Sequence, residues 1–292
     1  MNALEIVGLS KSFRGKRLAK VTALQDLSLE VRVGEVFGFL GPNGAGKSTT
    51  IKTLMGFLRP DSGGVSVFGK PVQTRESRLR VGYLPENPSF YDFLTGREYL
   101  HFVGRAFAMS DEAIKSQSGS VLDLLDLATA ADRPMRGYSK GMIQRLGLAQ
   151  AILHDPDLYI LDEPMSGLDP IGRSLVKEII KDLKRRGKSV FFSTHITGDV
   201  EVVCDRVGIV GRGRLMAVDS VANILQSGVE GYLLQVNRAG ISEELRVDKA
   251  RLQQELSDLM AAGAVIERIE PQRKDMEAFL LDVLADGSAV KN

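Results

Sequence analysis

Gly41-Pro42-Asn43-Gly44-Ala45-Gly46-Lys47-Ser48-Thr49 is the stretch on which the reading of the fold turns. Ahead of it lies the short apolar run Val36-Phe37-Gly38-Phe39-Leu40. Behind it Ile51, Leu54, Met55 and Leu58 recur at helical spacing until Pro60-Asp61-Ser62-Gly63-Gly64 stops the pattern. An apolar strand, a glycine-rich loop and a helix in that order satisfy the phosphate-loop pattern G-x-x-x-x-G-K-[ST]. Several backbone N–H groups must converge on phosphate oxygens, and that requires glycine where the chain is tight or φ is positive. The helix beginning near Lys47 turns its positive end toward the same oxygens. Lys47 adds a cation for the β and γ groups, and the Ser48 hydroxyl can ligate Mg²⁺. Nucleotide binding is the expectation.

The flanking sequence alternates strand-like and helix-like segments over roughly the first 220 residues. Leu27, Leu29 and Val31 alternate with polar neighbours at the period of a half-buried strand. Leu158–Leu161 and Val190–Phe192 read as buried parallel strands, and Arg206–Val210 with Leu215–Val218 flank Gly211-Arg212-Gly213 as a hairpin. Between them, over about 87–155, the pattern is helical, with a capping box at Thr95-Gly96-Arg97-Glu98. This is read as a helical subdomain inserted into an α/β core. From about Asn223 the character changes: a charged helix with Leu252, Leu256 and Leu259 ending at Gly263, a strand Val265–Ile269 stopping at Pro271, and a last helix carrying Met276, Phe279, Leu280, Val283 and Leu284.

Composition narrows the class. The 292 residues exceed one average domain, and 43% hydrophobic with 26% charged residues is ordinary for a globular protein. A formal net charge of +1 gives no global pull toward nucleic acid or anionic membrane. The basic run Lys11, Arg14, Lys16, Arg17 and Lys20 has no interleaved aromatic platform, so no nucleic-acid partner is expected. Cys204 is the single cysteine, which excludes an intrachain disulfide and fits a reducing compartment; it reads as a small buried apolar residue. No signal-peptide pattern opens the chain and no window reaches the roughly 18–20 apolar residues of a spanning helix.

A second chemical element ends the strand Leu158–Leu161: Asp162 and Glu163. At a strand's carboxyl end Asp162 can hold Mg²⁺ through water, facing the phosphate loop across the top of the sheet. Glu163 is then placed to polarise an attacking water, unless both acids are merely solvated loop residues.

Tyr138-Ser139-Lys140-Gly141-Met142, followed by Gln144-Arg145, resembles the signature sequence of the ABC ATPase family. The turn Pro60–Gly64, Ser166-Gly167-Leu168-Asp169-Pro170 and Ser193-Thr194-His195 fall in that family's order, and the resemblance spans roughly Leu4 to Val218. It implies a phosphate-loop α/β cassette: a mixed sheet core with an antiparallel N-terminal β part and an inserted helical subdomain, over 1–222. A small α+β extension follows over 223–292. It further implies ATP and Mg²⁺ as ligands. Phe13 stacks on adenine, and Gly41 to Thr49 hold the phosphates. Glu163 is the general base, Lys47 the phosphate cation and His195 the switch residue at the γ-phosphate. Asp169 lies at a cassette–cassette interface. Ser139 and Gly141 contact the γ-phosphate of ATP held by the opposite cassette, so a second cassette, most simply a second copy, is implied. So is a separate membrane permease docking near Glu86 and Tyr91, with the chain peripheral on the cytoplasmic face of the membrane.

Two departures bear on this. Glu86, in Tyr83-Leu84-Pro85-Glu86, stands where many relatives carry a metal- and water-sensing glutamine. Lys140 and Met142 replace the commonest glycine and glutamine; Lys140 either adds a cation near the opposing phosphates or points to solvent. Both resemble the branch serving type-two permeases, largely exporters. A guanine reader of the form Asn/Thr-Lys-x-Asp is absent, and neither a second cassette nor a long coiled coil is present. The alternatives are a soluble non-transport ATPase of the same type or a regulatory nucleotide-binding module. For 223–292 the readings are a packing appendage or a regulatory or dimerising module, with the apolar helix faces favouring the latter.

Overall fold

Leu27, Leu29 and Val31 lie on β2 (Lys20–Arg32), which pairs antiparallel with β1 (Asn2–Arg14) in a long hairpin. The structure, a computed structural model, describes residues 1–14, 20–227, 229–238, 241–273 and 276–286. Lys16 and Arg17 of the basic run lie outside the described residues. The chain continues through β3 (Val36–Leu40), α1 (Lys47–Leu54), β4 (Ser62–Val67), β5 (Lys70–Pro71), α2 (Arg75–Leu79) and β6 (Val81–Leu84). The helical segment holds α3 (Gly96–Ala106), α4 (Asp111–Leu124) and α5 (Lys140–Ile152). Then come β7 (Leu158–Asp162), α6 (Pro170–Arg185), β8 (Ser189–Thr194), α7 (Thr197–Val203), β9 (Arg206–Gly211) and β10 (Arg214–Ser220). The last elements are α8 (Val221–Ser227), β11 (Val229–Arg238), β12 (Ile241–Asp248), α9 (Leu252–Ala261), β13 (Val265–Arg273) and α10 (Met276–Asp286).

Two sheets carry the cassette. One is antiparallel, in the order β2-β1-β4-β5; the other is six-stranded, in the order β10-β9-β3-β8-β7-β6. From β9 to β6 the second sheet is parallel, with Leu40 opposite Thr194 and Asp162 opposite Ser193. The strands β3, β7 and β8 are buried at every position, which is why they read as continuous apolar runs rather than alternating ones. Phe37, Phe39, Phe191 and Phe192 are fully buried within this sheet's packing. The carboxyl ends of β3, β7 and β8 therefore finish side by side, and each is followed by a loop bearing one of the chemical motifs. Cys204 packs beneath Gly38, and burial pushes its thiol well above the ordinary range.

The chain divides into two compact units, Met1–Val218 and the described residues from Asp219 on, just before the expected boundary at 222. The second unit is a three-stranded sheet, β12-β11-β13, with Leu234, Val236, Val247 and Leu259 as its core.

Several local expectations need correction. Helix α1 ends at Leu54, short of Leu58, because Gly56 takes φ +72° and turns the chain out of the helix. The stop Pro60–Gly64 is not all turn: Ser62–Gly64 already belong to β4, where a Cβ on Gly63 would meet the Gly8 carbonyl oxygen at 2.3 Å. β13 does not stop at Pro271. It runs on to Arg273, with Pro271 opposite Tyr232, which an edge strand tolerates because it needs no outward N–H partner. β11 and β12 carry weak alternation and were not foreseen. The capping box at Thr95 and Glu98 forms on both sides.

Gly213 ties the phosphate loop to both sheets. Its N–H donates to the Ala45 carbonyl (2.9 Å), and its own carbonyl accepts from Gln25 N–H (2.8 Å). With φ +77°, and Ala23 O 2.4 Å from where a Cβ would sit, no side chain fits without displacing backbone. Gly213→Ala is expected to cost about 1–3 kcal/mol. Thermal denaturation should show this as a Tm lowered by several degrees.

Candidate functional site

The loop after β3 is held by its own lysine. Gly44 and Gly46 take φ +78° and +109°, which a side chain would strain, and Gly46 caps α1. Gly41 passes so close to β9 that a Cβ would sit 2.3 Å from the Val210 carbonyl oxygen. Lys47 is 6% exposed; its Nζ donates to the Gly41 carbonyl at 2.7 Å and to the Pro42 carbonyl at 3.3 Å. The same ammonium lies 3.4 Å from Glu163 Oε1.

Glu163 enters from β7 with φ +49°, a left-handed conformation unusual for a residue with a side chain. Its N–H donates to Ser193 Oγ (3.0 Å), and Ser193 Oγ donates in turn to Asp162 Oδ1 (2.6 Å). One buried hydroxyl on β8 thus sets the spacing of both acids. Glu163 Oε2 lies 3.0 Å from His195 Nδ1. A carboxylate only accepts, so Nδ1 carries the proton of that contact. His195 itself is half exposed. Burial pushes the Asp162 carboxyl above the usual range; the Ser193 hydroxyl opposes this, the Glu86 charge adds to it, and the Ser48 hydroxyl again opposes it. Tyr83, at the end of β6, is pushed up to about 12 by burial and then by the Asp162 charge.

Together Pro42, Asn43, Gly44, Gly46, Lys47, Ser48, Thr49, Glu86 and Glu163 line a cleft of about 330 Å³, with Ala23 of β2 as one wall. Ala45 is buried behind it. Phe13 stands apart on the hairpin: it is 40% exposed, pairs across to Val21, and has Lys11 Nζ 5.6 Å from its ring centre. Lys11 also pairs with Asp61 at 3.0 Å.

Ser139 and Gly141 do not share this cleft. They line a separate, open groove of about 640 Å³ with Gly167, Leu168, Asp169 and Ile171. Ser139 is the N-cap of α5, accepting from Met142 N–H at 3.2 Å, and Asp169 caps α6, accepting from Gly172 N–H at 2.7 Å. The stem of Lys140 lies over Gly167: a Cβ there would meet its Cε at 2.7 Å. Of the remaining histidines, His101 is exposed near Asp111, whereas His154 stacks on Phe107 and is lowered to about 4 by burial.

Two contributors lie inside quoted motifs but carry no sequence signal of the role they play. Ser193 was visible only as part of a motif, and its role follows from lying opposite Asp162 across the β7–β8 pair. Gln144, buried on α5, donates from Nε2 to the Glu163 and Pro164 carbonyls at 3.4 and 3.3 Å, joining the signature helix to the acid loop.

The ABC transporter family model matches residues 24–166. An uncharacterized ABC transporter ATP-binding protein of Synechocystis sp. is 46% identical over 258 residues, covering 87% of this chain and 72% of that protein. The chain belongs to the ABC transporter family. It is an ATP-binding subunit of that family and an ATPase. The Nod factor export ATP-binding protein I of Burkholderia orbicola is 37% identical, with 79% of this chain and 77% of that one covered. A solved ATP-binding subunit of an ABC transporter superposes with a TM-score of 0.70 at 32% identity, covering 77% of this chain and 92% of that one. Among the described residues of the ABC subunit no helix is long and apolar enough to cross a membrane.

The raised Asp162 carboxyl has a consequence for stability. A folded-state value above the ordinary 3.8 means that the folded chain holds a proton the unfolded chain has released, so stability falls as pH rises from about that value through the folded one. Asp162→Asn removes this loss while keeping an acceptor for Ser193. It is expected to stabilise the nucleotide-free protein above the carboxylate range by on the order of 1 kcal/mol. The gain should vanish at the acid end of the range, as read by chemical denaturation across pH.

Proposed function

We propose that this subunit drives solute export through a separate membrane permease, working as a pair of cassettes at the cytoplasmic face of the membrane. The observation that carries the hydrolytic part is the Glu163 carboxylate, which lines the cleft over the phosphate loop with one oxygen 3.4 Å from Lys47 Nζ and the other 3.0 Å from His195 Nδ1. Gly41 to Thr49 bind the triphosphate through converging N–H groups, with Lys47 turning from the loop carbonyls to the β and γ oxygens. Glu163 accepts the proton of the attacking water. His195 holds one oxygen of that carboxylate and leaves the other for the water.

The residues also fit Mg²⁺. The charges of Glu86 and Glu163 both act on Asp162, only Glu163 is paired with the buried Lys47 ammonium, and the Ser48 hydroxyl meets Asp162. No group of three or more His, Cys, Asp or Glu among the described residues could hold a metal alone, which suits an ion completed by phosphate oxygens and water. Ser48 would hold the ion directly, with Asp162 and Glu86 holding its waters; when bound it neutralises charge building on the transferred group.

Pairing is supported by the division of the site. Ser139, Gly141 and Asp169 sit on a groove of their own, and free N–H groups at the start of α5 favour an anion there. A second copy turned head to tail would bring that groove to the phosphate cleft. Phe13, exposed on the hairpin and paired with Val21, two residues before the cleft-lining Ala23, is the proposed adenine contact. Export and the permease are supported by the type-two resemblance and by the exporter relative. The surface around Glu86 and Tyr91, where Tyr91 is 65% exposed, is the proposed docking face.

Glu163→Gln is expected to keep ATP binding and slow turnover by at least ~10²–10⁴-fold; a phosphate-release assay showing normal turnover removes Glu163 from its role. Lys47→Ala is expected to lose nucleotide binding, measured by fluorescent-nucleotide titration. Crosslinks from position 91 should reach a co-purified permease, and crosslinks placing the permease elsewhere reject that face.

A further inference from the structure

Asp199 is a buried acid outside the cleft. Its side chain is 2% exposed, and three contacts from two cations hold it: Arg173 Nη2 donates to both oxygens at 3.1 and 3.0 Å, and Lys177 Nζ lies 2.9 Å from Oδ1. Burying a carboxylate between two cations is a costly way to pack a helix. It is not needed merely to keep α7 on the sheet, since Val200 and Val203 of the same helix are already buried. What the ion cluster adds is a directional link between α7 and α6.

Each of those helices is the continuation of a loop that leaves the hydrolytic centre. The segment from Glu163 to Asp169 leads into α6, where Arg173 N–H donates to the Asp169 carbonyl (2.9 Å) in the first turn. The segment after β8 carries His195 into α7. On one side His195 follows Thr194, buried at the strand end; on the other only Ile196, Thr197 and Gly198 separate it from Asp199. Gly198 and the half exposure of His195 leave that stretch little packing of its own. The 3.0 Å contact from His195 Nδ1 to Glu163 therefore depends on where the two loops are anchored. Ser193 joins them at the strand ends; beyond His195, Asp199 with Arg173 and Lys177 is the anchor they share.

We propose that Asp199 is a positioning residue for hydrolysis: through Arg173 and Lys177 it holds the His195 loop in register with the Glu163–Asp169 loop, so that the imidazole meets the Glu163 carboxylate. The proposal rests on the roles given above to Glu163 and His195. Asp199 touches neither substrate nor the reacting atoms, and the phosphate loop is anchored elsewhere, through Gly41, Gly213 and Lys47. Its loss should thus slow chemistry and leave nucleotide affinity alone.

The test is steady-state ATP hydrolysis by the purified full chain carrying Asp199→Asn, alone and combined with His195→Ala. Arg173→Met, which leaves the neutral Lys177–Asp199 pair in place, is the second variant should the first fold poorly. Circular dichroism at the assay temperature verifies that each protein is folded. A loosely placed catalytic group is expected to lower kcat by roughly 10–100-fold, with KM within about 2-fold of the parent. In the His195→Ala background neither variant should lower kcat further, because the group they position is gone. Three results overturn the proposal: unchanged kcat in folded Asp199→Asn or Arg173→Met, a loss confined to KM, or an equal additional loss in the His195→Ala background. Normal turnover by Glu163→Gln or His195→Ala would instead reject the underlying reading of the site, and the positioning role with it.

Discussion

An ammonium withdrawn from water must be surrounded by negative charge or by well-aimed carbonyl dipoles, and Lys47 meets that demand with the means the phosphate loop offers. Its Nζ is satisfied by the Gly41 and Pro42 carbonyls and faced by Glu163. The constraint reaches outward. The loop must close tightly enough to offer its carbonyls, so Gly41 runs against β9 and Gly44 and Gly46 adopt positive φ. The loop must also be backed by something rigid, so Gly213 bonds Ala45 on one side and Gln25 on the other.

The two acids after β7 are neighbours in sequence with different surroundings. Asp162 stays in strand geometry, buried, receiving the Ser193 hydroxyl. Glu163 leaves the strand through a left-handed residue, which swings its side chain toward Lys47 and His195. Backbone strain at one position thus sends two adjacent acids into different surroundings without a residue between them. The hydroxyl of Ser193 serves both, as acceptor for one residue's N–H and donor to the other's carboxylate. The arrangement is buried and hydrogen-bonded at Asp162, Glu163 and Ser193. It is looser at His195, the one member half open to solvent.

The signature groove and the phosphate cleft are lined by separate sets of residues. Ser139 and Asp169 are held on that groove as helix N-caps. Gln144 nonetheless reaches from the signature helix to the carbonyls of Glu163 and Pro164. What happens on the groove face is therefore mechanically joined to the acid loop, as the ion cluster at Asp199 joins the loops behind it.

Much of this was legible in the residues themselves. The phosphate loop, the apolar strands before it and before Asp162-Glu163, the capping box at Thr95 and the hairpin around Gly213 are local in origin. Glycine at a forced φ, a side-chain cap and an uninterrupted apolar run each leave a mark within a few residues. Strands β11 and β12 left no such mark, because a small sheet with one solvated face needs few apolar residues, and Pro271 looked like a stop until its edge position removed the need for an N–H. The pairing of Asp162 with Ser193, the tether from Gln144 to the acid loop and the burial of Asp199 between Arg173 and Lys177 join positions 19 to 31 residues apart. Sequence alone determined which chemical groups the chain owns and the local geometry that aims them. Only the tertiary structure decided which of them meet, because strand register and helix packing are settled by burial summed over the whole sheet, and no short stretch of residues contains that sum.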